Sequence, residues 1–414
     1  MPKSVRPYSP HAAGISSFIE HPAGFFMDQE GRRAKKVMGL ESCRISCGEG
    51  DATLEFGLSL TALWVGYYRI REASVPSPLF FDPLAKALMK EENAEWAFQR
   101  MQDALEDTLF MSKAAYTRTE QGFFPVRTRF IDDHVDRSLY NHALLAERGS
   151  GGQSRRQLQV VDIACGFDAR AFRLNFPDNT VFFEVDRAEV IALKTDRLAH
   201  ISPPSSLTCA KRVCIPADIL LDDWEADLVA KGFEASLPTV WICEGILTYL
   251  PEPQALAFLA RVRDVSAPGS TLVCDVVNDM IRNAAPMRKR MDLLRKDGAQ
   301  YNLFISNPVA FWKSKANFSD VKYHLPGEGT ASYGRIPPHP FLRAMRLTIR
   351  VVISTLLLSG AFLCGYYLSL WVAVPVMLGL IVVGEGWAFL FQEWLALRLT
   401  MTLYPVAYFT EVSV

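Results

Sequence analysis

The stretch Gln159–Arg187, QVVDIACGFDARAFRLNFPDNTVFFEVDR, constrains the fold of this chain more than any other. Leu158–Ile163 is mostly apolar, as a parallel strand buried on both faces must be, with Asp162 near its carboxyl end. Ala164-Cys165-Gly166 then forms a run of small residues where the chain must turn. Gly166 has no Cβ, so it can take a positive φ and let a ligand approach the backbone. Asp168–Leu174 reads as the opening of a helix, whose first N–H groups face whatever lies over the turn. Thr180–Val185 is a second β-branched and aromatic run, ending in Glu184-Val185-Asp186. A carboxylate about 20 residues past a glycine turn suits a ribose with two free hydroxyls.

This pattern fits a nicotinamide cofactor, a flavin or S-adenosylmethionine. Two residues argue against a dinucleotide. Ala164 stands where the first glycine of that fingerprint belongs, and Asp168 puts negative charge where a pyrophosphate would lie. The plainer alternative is an ordinary strand-turn-helix of an α/β protein.

Strands continue at Lys211–Ile215, Thr239–Ile242 and Thr271–Val277, with a late segment around Val321–Leu325. Helices are expected between them, over Ala188–Leu198, Asp222–Lys231, Pro253–Val265 and Met287–Lys296. Such alternation indicates a doubly wound, mostly parallel sheet. Residues 54–145 read as helical cover, with Asp82 as an N-cap before Pro83. Residues 1–53 read as a variable extension carrying the basic run Arg32-Arg33-Ala34-Lys35-Lys36. A net charge of −1 gives no general attraction to nucleic acid. Eight scattered cysteines without a CxxC read as reduced thiols of a cytosolic domain, and no metal site is expected.

Several residues off the central stretch suit a ligand. Arg127 and Arg129, in Val126–Asp133, offer planar donor forks for a carboxylate, with surface salt bridges to Asp132 and Asp133 as the alternative. Asp218 and Ile219 follow the third strand, where open α/β sheets bind ligands. Asp218 suits an adenine amino group and Ile219 the ring face, although Asp218 equally suits a helix cap. Glu244 opens onto the same crevice after the fourth strand, with Tyr249 close by.

The blocks LFFDPLAKAL, VRTRFIDD, VVDIACGFDARAFRL, FFEVDR, PADIL and WICEGILTYLPE occur in this order. Together they resemble the leucine carboxyl methyltransferase family of class I S-adenosylmethionine-dependent methyltransferases, over about Leu58 to Asp320. The resemblance implies a seven-stranded methyltransferase sheet, S-adenosylmethionine as cofactor and a small-molecule methyl acceptor. It further implies that Arg127 binds the methionine carboxylate and that Gly166 lines the cofactor. Asp186 would hold the ribose, Asp218 and Ile219 the adenine, and Glu244 would lie near the methionine amino group. A two-residue offset would exchange Arg127 for Arg129. The family's Gly-Ala-Gly turn is Ala164-Cys165-Gly166 here, and alanine takes a positive φ only at a cost.

Val351–Gly384 contains no charged residue, a run longer than the ~20 residues that one span needs. Two helices near 348–369 and 372–393 are expected, as a C-terminal transmembrane hairpin within a region 341–414 that follows a methyltransferase domain over 54–340. Arg343, Arg346, Arg350 and Arg398 flank this run and place both of its ends, and the catalytic domain, on the cytoplasmic side. The rival is a buried or interfacial helical hairpin in a soluble oligomer. The function expected is O-methyl transfer to a carboxyl or hydroxyl group of a small, lipophilic acceptor. A membrane-anchored cofactor-binding scaffold without activity, a nicotinamide-dependent reductase and a nucleic-acid methyltransferase are the alternatives. A hydroxyl acceptor would need a base, for which His134 and Tyr249 are the candidates, each with a structural role as the alternative.

Overall fold

The computed structural model describes residues 60–107, 113–149, 156–201, 206–283, 287–326, 333–336 and 407–413, besides Ala331, Thr355, Ser359 and three short N-terminal strands. The chain divides into two units, Met1–Thr53 and Leu54–Val414. In the first, the two-residue strands Ile19–Glu20, Phe26–Met27 and Arg33–Ala34 pair antiparallel.

The second unit is built on a seven-stranded sheet. Its strands are β1 (Leu158–Ile163), β2 (Thr180–Asp186), β3 (Lys211–Pro216), β4 (Thr239–Cys243), β5 (Thr271–Val277), β6 (Asp320–His324) and β7 (Ala407–Ser413). Their spatial order is β3-β2-β1-β4-β5-β7-β6. The first five are parallel, and β7 runs antiparallel between β5 and β6. Burial follows position. Every residue of β1 and β4 is buried, as central strands covered on both faces require. The edge strand β6 is polar: it exposes Asp320, Lys322 and Tyr323, and its two charges deter pairing with another chain.

The helices are α1 (Leu60–Glu72), α2 (Ala85–Met89), α3 (Glu91–Asp103), α4 (Lys113–Gly149), α5 (Arg170–Arg173), α6 (Ala188–Ala199), α7 (Trp224–Ala230), α8 (Glu252–Asp264), α9 (Arg288–Lys296) and α10 (Pro308–Ala310). Alternate β1 side chains point to opposite faces. Val161 and Ile163 join a core with Trp224, Phe258 and Leu259 of α7 and α8, while Leu158 and Val160 join one with Phe130, Ile131 and Val135 of α4. A third core binds α1, α2 and α3 to Phe167, Ala169 and Leu294, forming a helical cap next to the β1 turn. Asp82 accepts from Leu84 N–H (3.1 Å) and Ala85 N–H (3.0 Å), but it is not the expected N-cap, since α2 starts two residues beyond Pro83 and its N-cap is Leu84.

One further expectation changes. The C-terminal region does not lie wholly outside the sheet. Residues 407–413 complete it, with Ala407 opposite Val277 of β5 and Phe409 opposite His324 of β6. Residues 341–414 are thus not an appendage, and the apolar run interrupts the domain between β6 and β7. Apart from Thr355 and Ser359, the expected spans over 348–393 lie outside the described residues, and no described helix is long and apolar enough to cross a membrane.

Candidate active site

The reversal of strand order between β1 and β4 opens a crevice at the carboxyl ends of the parallel strands. The β1 turn floors it. Ala164 has φ 54° and Gly166 φ 48°, both left-handed. Ala164 therefore accepts a conformation that costs an alanine about 1–2 kcal/mol, and its methyl packs against the core beneath the sheet. A Cβ on Gly166 would meet nothing within 4 Å, so open space lies in front of the turn, room that a ligand can use.

Asp186 closes the next side. Its Oδ2 accepts from Gly166 N–H (2.7 Å) and its Oδ1 from Arg187 N–H (2.8 Å). Burial lifts its pKa above the ordinary aspartate value, against these two amide donors and Arg187. Each oxygen keeps a lone pair, which suits vicinal hydroxyls. Asp218 comes next along the edge, since Ala217 N–H donates to the Asp186 carbonyl (2.8 Å). The Asp218 Oδ1 accepts from Leu220 N–H (2.9 Å), the capping use, and Asp222 Oδ2 accepts from Asp218 N–H (2.9 Å). Ile219 is 8% exposed and packs in the core with Trp224, which leaves little of its side chain for an adenine face.

The opposite side is a buried ionic network. Arg127 of α4 reaches Glu244 Oε1 (3.1 Å) and Asp275 Oδ2 (2.9 Å), and Asp275 Oδ1 accepts from Gly245 N–H (2.6 Å). Arg69 of α1 reaches Glu244 (3.2 Å) and Asp168 (3.4 Å). Arg170 of α5 reaches Glu244 Oε2 (2.8 Å), Asp132 (2.7 Å) and Asp168, and Arg173 grips Asp132 through both terminal nitrogens (2.6 and 2.8 Å). Burial alone would raise the Glu244 pKa, but Arg170, Arg69 and Arg127 hold it far below the carboxylate range. Burial likewise opposes charge on Arg127, which Asp275 and Glu244 restore. Arg69, Arg127, Arg170 and Arg173 balance Asp132, Asp168, Glu244 and Asp275. Asp162 beneath them has its pKa driven well up by burial and by Asp168. The buried Nε atoms of Arg69 and Arg127 have no hydrogen-bond partner among the described residues. A balanced network of arginines and carboxylates suits the zwitterionic end of an amino acid.

The two arginines of the VRTRFIDD block separate cleanly. Arg127 is buried in the network. Arg129 lies outside, 44% exposed, paired with Asp133 (2.8 Å) and donating to the Leu79 carbonyl (3.0 Å). Two residues on a helix turn through about 200°, so only one can face the crevice. The structure thus brings Arg127 to Glu244 and Gly166 to Asp186, with Asp218 next along the edge. Sequence reasoning missed Arg69, Arg170, Arg173 and Asp275. Asp275 carried a usable signal, a lone carboxylate within the apolar strand Thr271–Val277, whereas Arg69 is an ordinary arginine in a helical pattern.

The two base candidates part company. His134 contacts Thr271 Oγ1 (3.2 Å), Ser138 Oγ (3.3 Å) and Glu411 (3.5 Å). Thr271 begins β5, so His134 sits at the amino end of the sheet, away from the crevice. Tyr249 lies at the correct end, after β4. Burial raises its pKa despite hydrogen bonds with Thr61 and Tyr301, so it stays a phenol at neutral pH and donates rather than accepts a proton.

This strand order, with the β1 turn and its acidic partners, defines a class I methyltransferase fold. Residues 62–263 match the leucine carboxyl methyltransferase family model. A Mycobacteroides abscessus protein named as an S-adenosyl-L-methionine-dependent methyltransferase is 30% identical, covering 73% of this chain and 96% of its own. One from Mycolicibacterium gilvum with the same name is 34% identical, covering 60% and 76%. Among solved structures, a DUF574 family protein from Streptomyces avermitilis aligns with TM-score 0.36 and 12% identity, over 65% of this chain and 90% of that one. An O-methyltransferase family protein from Burkholderia thailandensis aligns with TM-score 0.31 and 14% identity, over 57% and 68%. The assignment rests on the sequence relatives. The chain belongs to the leucine carboxyl methyltransferase family, is a methyltransferase, and uses S-adenosylmethionine.

Proposed function

We propose that the protein transfers a methyl group from S-adenosylmethionine to an oxygen, carboxyl or hydroxyl, of a small lipophilic acceptor. The observation that carries this reading is the continuous edge from the Arg127–Glu244 pair, past Gly166, to Asp186 and Asp218. Arg127 would take the methionine carboxylate, with the Arg69 Nε as a second donor, and Glu244 would face the ammonium. Asp186 would take the ribose hydroxyls, and Asp218, with the exposed part of Ile219, the adenine. S-adenosylmethionine supplies an electrophilic methyl on a positively charged sulfur. The chain's task is to align the acceptor oxygen behind that carbon and to exclude water.

The acceptor class follows from the two base candidates. His134 stands at the wrong end of the sheet, and Tyr249 remains protonated. A carboxylate acceptor needs neither, so the reading favours a carboxyl group. A hydroxyl acceptor is the second reading, supported by Tyr249 lying at the correct end.

The lipophilic character rests on Val351–Gly384 and its flanking arginines. The reading includes attachment to a membrane through this run, with the catalytic domain on the cytoplasmic side. The test offers the full-length protein methyl-labelled S-adenosylmethionine with lipophilic carboxylic acids and phenols. Alkali-labile label marks a methyl ester and alkali-stable label a methyl ether. Label in neither product class, from protein that binds the cofactor, would overturn the proposed acceptor.

A further inference from the structure

Behind the edge that runs from Gly166 to Asp186 lies a buried lysine. Lys194 of α6 is fully buried, and its Nζ is 3.1 Å from Glu184 Oε1. Burying an ammonium is costly unless a carboxylate and further acceptors receive it. The second acceptor here is Cys165, to whose Sγ the Lys194 Nζ donates at 3.9 Å. Burial drives the Cys165 pKa well up, against Lys194, so it stays a thiol. Its one hydrogen serves Glu184 Oε2 (3.9 Å) or the Gly166 carbonyl (3.8 Å). A thiol sulfur is a weak acceptor, so this contact places the turn more than it stabilises it. Arg212 of β3 meets Glu184 Oε2 at 2.6 Å and keeps the carboxylate paired even without the lysine.

The places of these residues in the chain give the cluster its interest. Cys165 is the middle residue of the β1 turn, between the left-handed Ala164 and Gly166. Glu184 precedes Asp186 by two on β2, and residues two apart on a strand face the same side. Helix α6 starts at Ala188, two residues after Asp186. One ammonium therefore joins the turn that carries Gly166, the strand end that carries Asp186, and the helix that follows. The two loops also meet directly, through Gly166 N–H on Asp186 Oδ2 (2.7 Å) and Cys165 N–H on the Val185 carbonyl (3.3 Å). Lys194 acts on charge as well. Burial raises the Asp186 pKa, and the Gly166 and Arg187 amides, the Arg187 side chain and Lys194 work against it. The family's turn has alanine at the middle position, a side chain with no atom that could accept from Lys194.

We infer that Lys194 is a positioning residue for the ribose of the cofactor. Acting through Cys165 and Glu184, it fixes Asp186 relative to the Gly166 turn, so that both carboxylate oxygens meet the vicinal hydroxyls. The inference rests on the ribose site proposed above and adds what sets its geometry.

The test titrates three ligands into the full-length protein: S-adenosylmethionine, 5′-methylthioadenosine, which lacks the amino-acid end, and the 2′,3′-dideoxy analogue of the latter. In Lys194→Met, Glu184 keeps Arg212, and affinity for the first two ligands should fall about tenfold. Affinity for the dideoxy analogue should change by less than about twofold, because it offers Asp186 no hydroxyl to hold. A general loosening of the protein would weaken all three alike. Cys165→Ala keeps the Lys194–Glu184 pair and should show the same pattern at about threefold, which decides the matter if Lys194→Met does not fold. Equal losses for all three ligands, or unchanged affinity for the first two, overturn the positioning role. Asp186→Ala separates this from the ribose site. If Asp186→Ala weakens the first two ligands while Lys194→Met and Cys165→Ala do not, the positioning role alone falls. If Asp186→Ala also binds all three as the parent does, the ribose site falls and the inference with it.

Discussion

Two buried ionic clusters lie near each other in this molecule and differ in one respect. In the helical cap, Arg290 of α9 donates to the Met101 carbonyl from Nε and Nη2 (3.0 and 2.8 Å) and to Glu120. Glu120 also accepts from Tyr68 Oη (3.1 Å) and Gln102 Nε2 (3.1 Å), while the Trp64 ring covers the guanidinium at 4.9 Å. That cluster is closed. In the crevice, Arg127 and Arg69 are also buried but keep unused Nε donors, and the space before Gly166 is open. A saturated buried ion pair holds elements together. An unsaturated one, near a turn with open space before it, leaves donors for a partner that arrives later.

The largest effect should fall on the closed cluster. Arg290→Met strands Glu120 in the cap and should lower stability by about 3–5 kcal/mol in urea denaturation. Arg127→Met should lose less, about 1–2 kcal/mol, because Glu244 keeps Arg69 and Arg170 and Asp275 keeps the Gly245 amide. Its cost appears in binding instead, as about a 100-fold weaker affinity for S-adenosylmethionine, ~2.7 kcal/mol by calorimetry. If Arg127→Met unfolds the protein as Arg290→Met does, the contrast between the clusters fails.

Gly166→Ala sharpens the same contrast on the backbone. Its methyl would enter open space at a left-handed residue, costing about 1 kcal/mol of stability, while intruding on the ligand by about tenfold in affinity. The amino edge supplies another structural network to compare. Burial would raise the Glu411 pKa, but His134, Arg137 and His324 bring it down to about 2. An unfolded glutamate titrates near ~4.3. The stability it contributes is therefore full above about pH 4.3 and is lost as pH falls toward 2. Glu411→Gln should flatten acid unfolding across that window and leave cofactor affinity unchanged. The smallest effect is expected at the turn itself. Ala164→Gly relieves a left-handed alanine but loosens the unfolded chain, a net gain of about 0.5 kcal/mol in thermal unfolding.

Much of this architecture was legible beforehand because buried parallel strands write themselves as apolar runs. β1 and β5 fall on their expected residues, and β2 and β4 extend one residue further. β7 was not legible. Its pairing partners lie far away in the chain, and its residues follow an apolar run that dominates any reading of the C-terminus. The positions of the candidate residues were legible where a residue type is tied to a turn or a strand end, as at Gly166, Asp186, Asp218 and Glu244. It was not legible at Arg69 and Arg170. Their importance comes from converging on Glu244 from separate helices, and helix spacing says nothing about that. The turn at Ala164 departs from the family's glycine, yet the alanine takes up the left-handed conformation with its methyl packed against the core.

One measurement addresses the central claim that the carboxyl-edge crevice holds the cofactor. S-adenosylmethionine is titrated calorimetrically into the full-length protein, Arg127→Met and Arg129→Met, with β7 left in place. The account predicts binding by the parent and by Arg129→Met, and about a 100-fold loss in a folded Arg127→Met. Equal losses in the two variants, or unchanged binding by Arg127→Met, would contradict it.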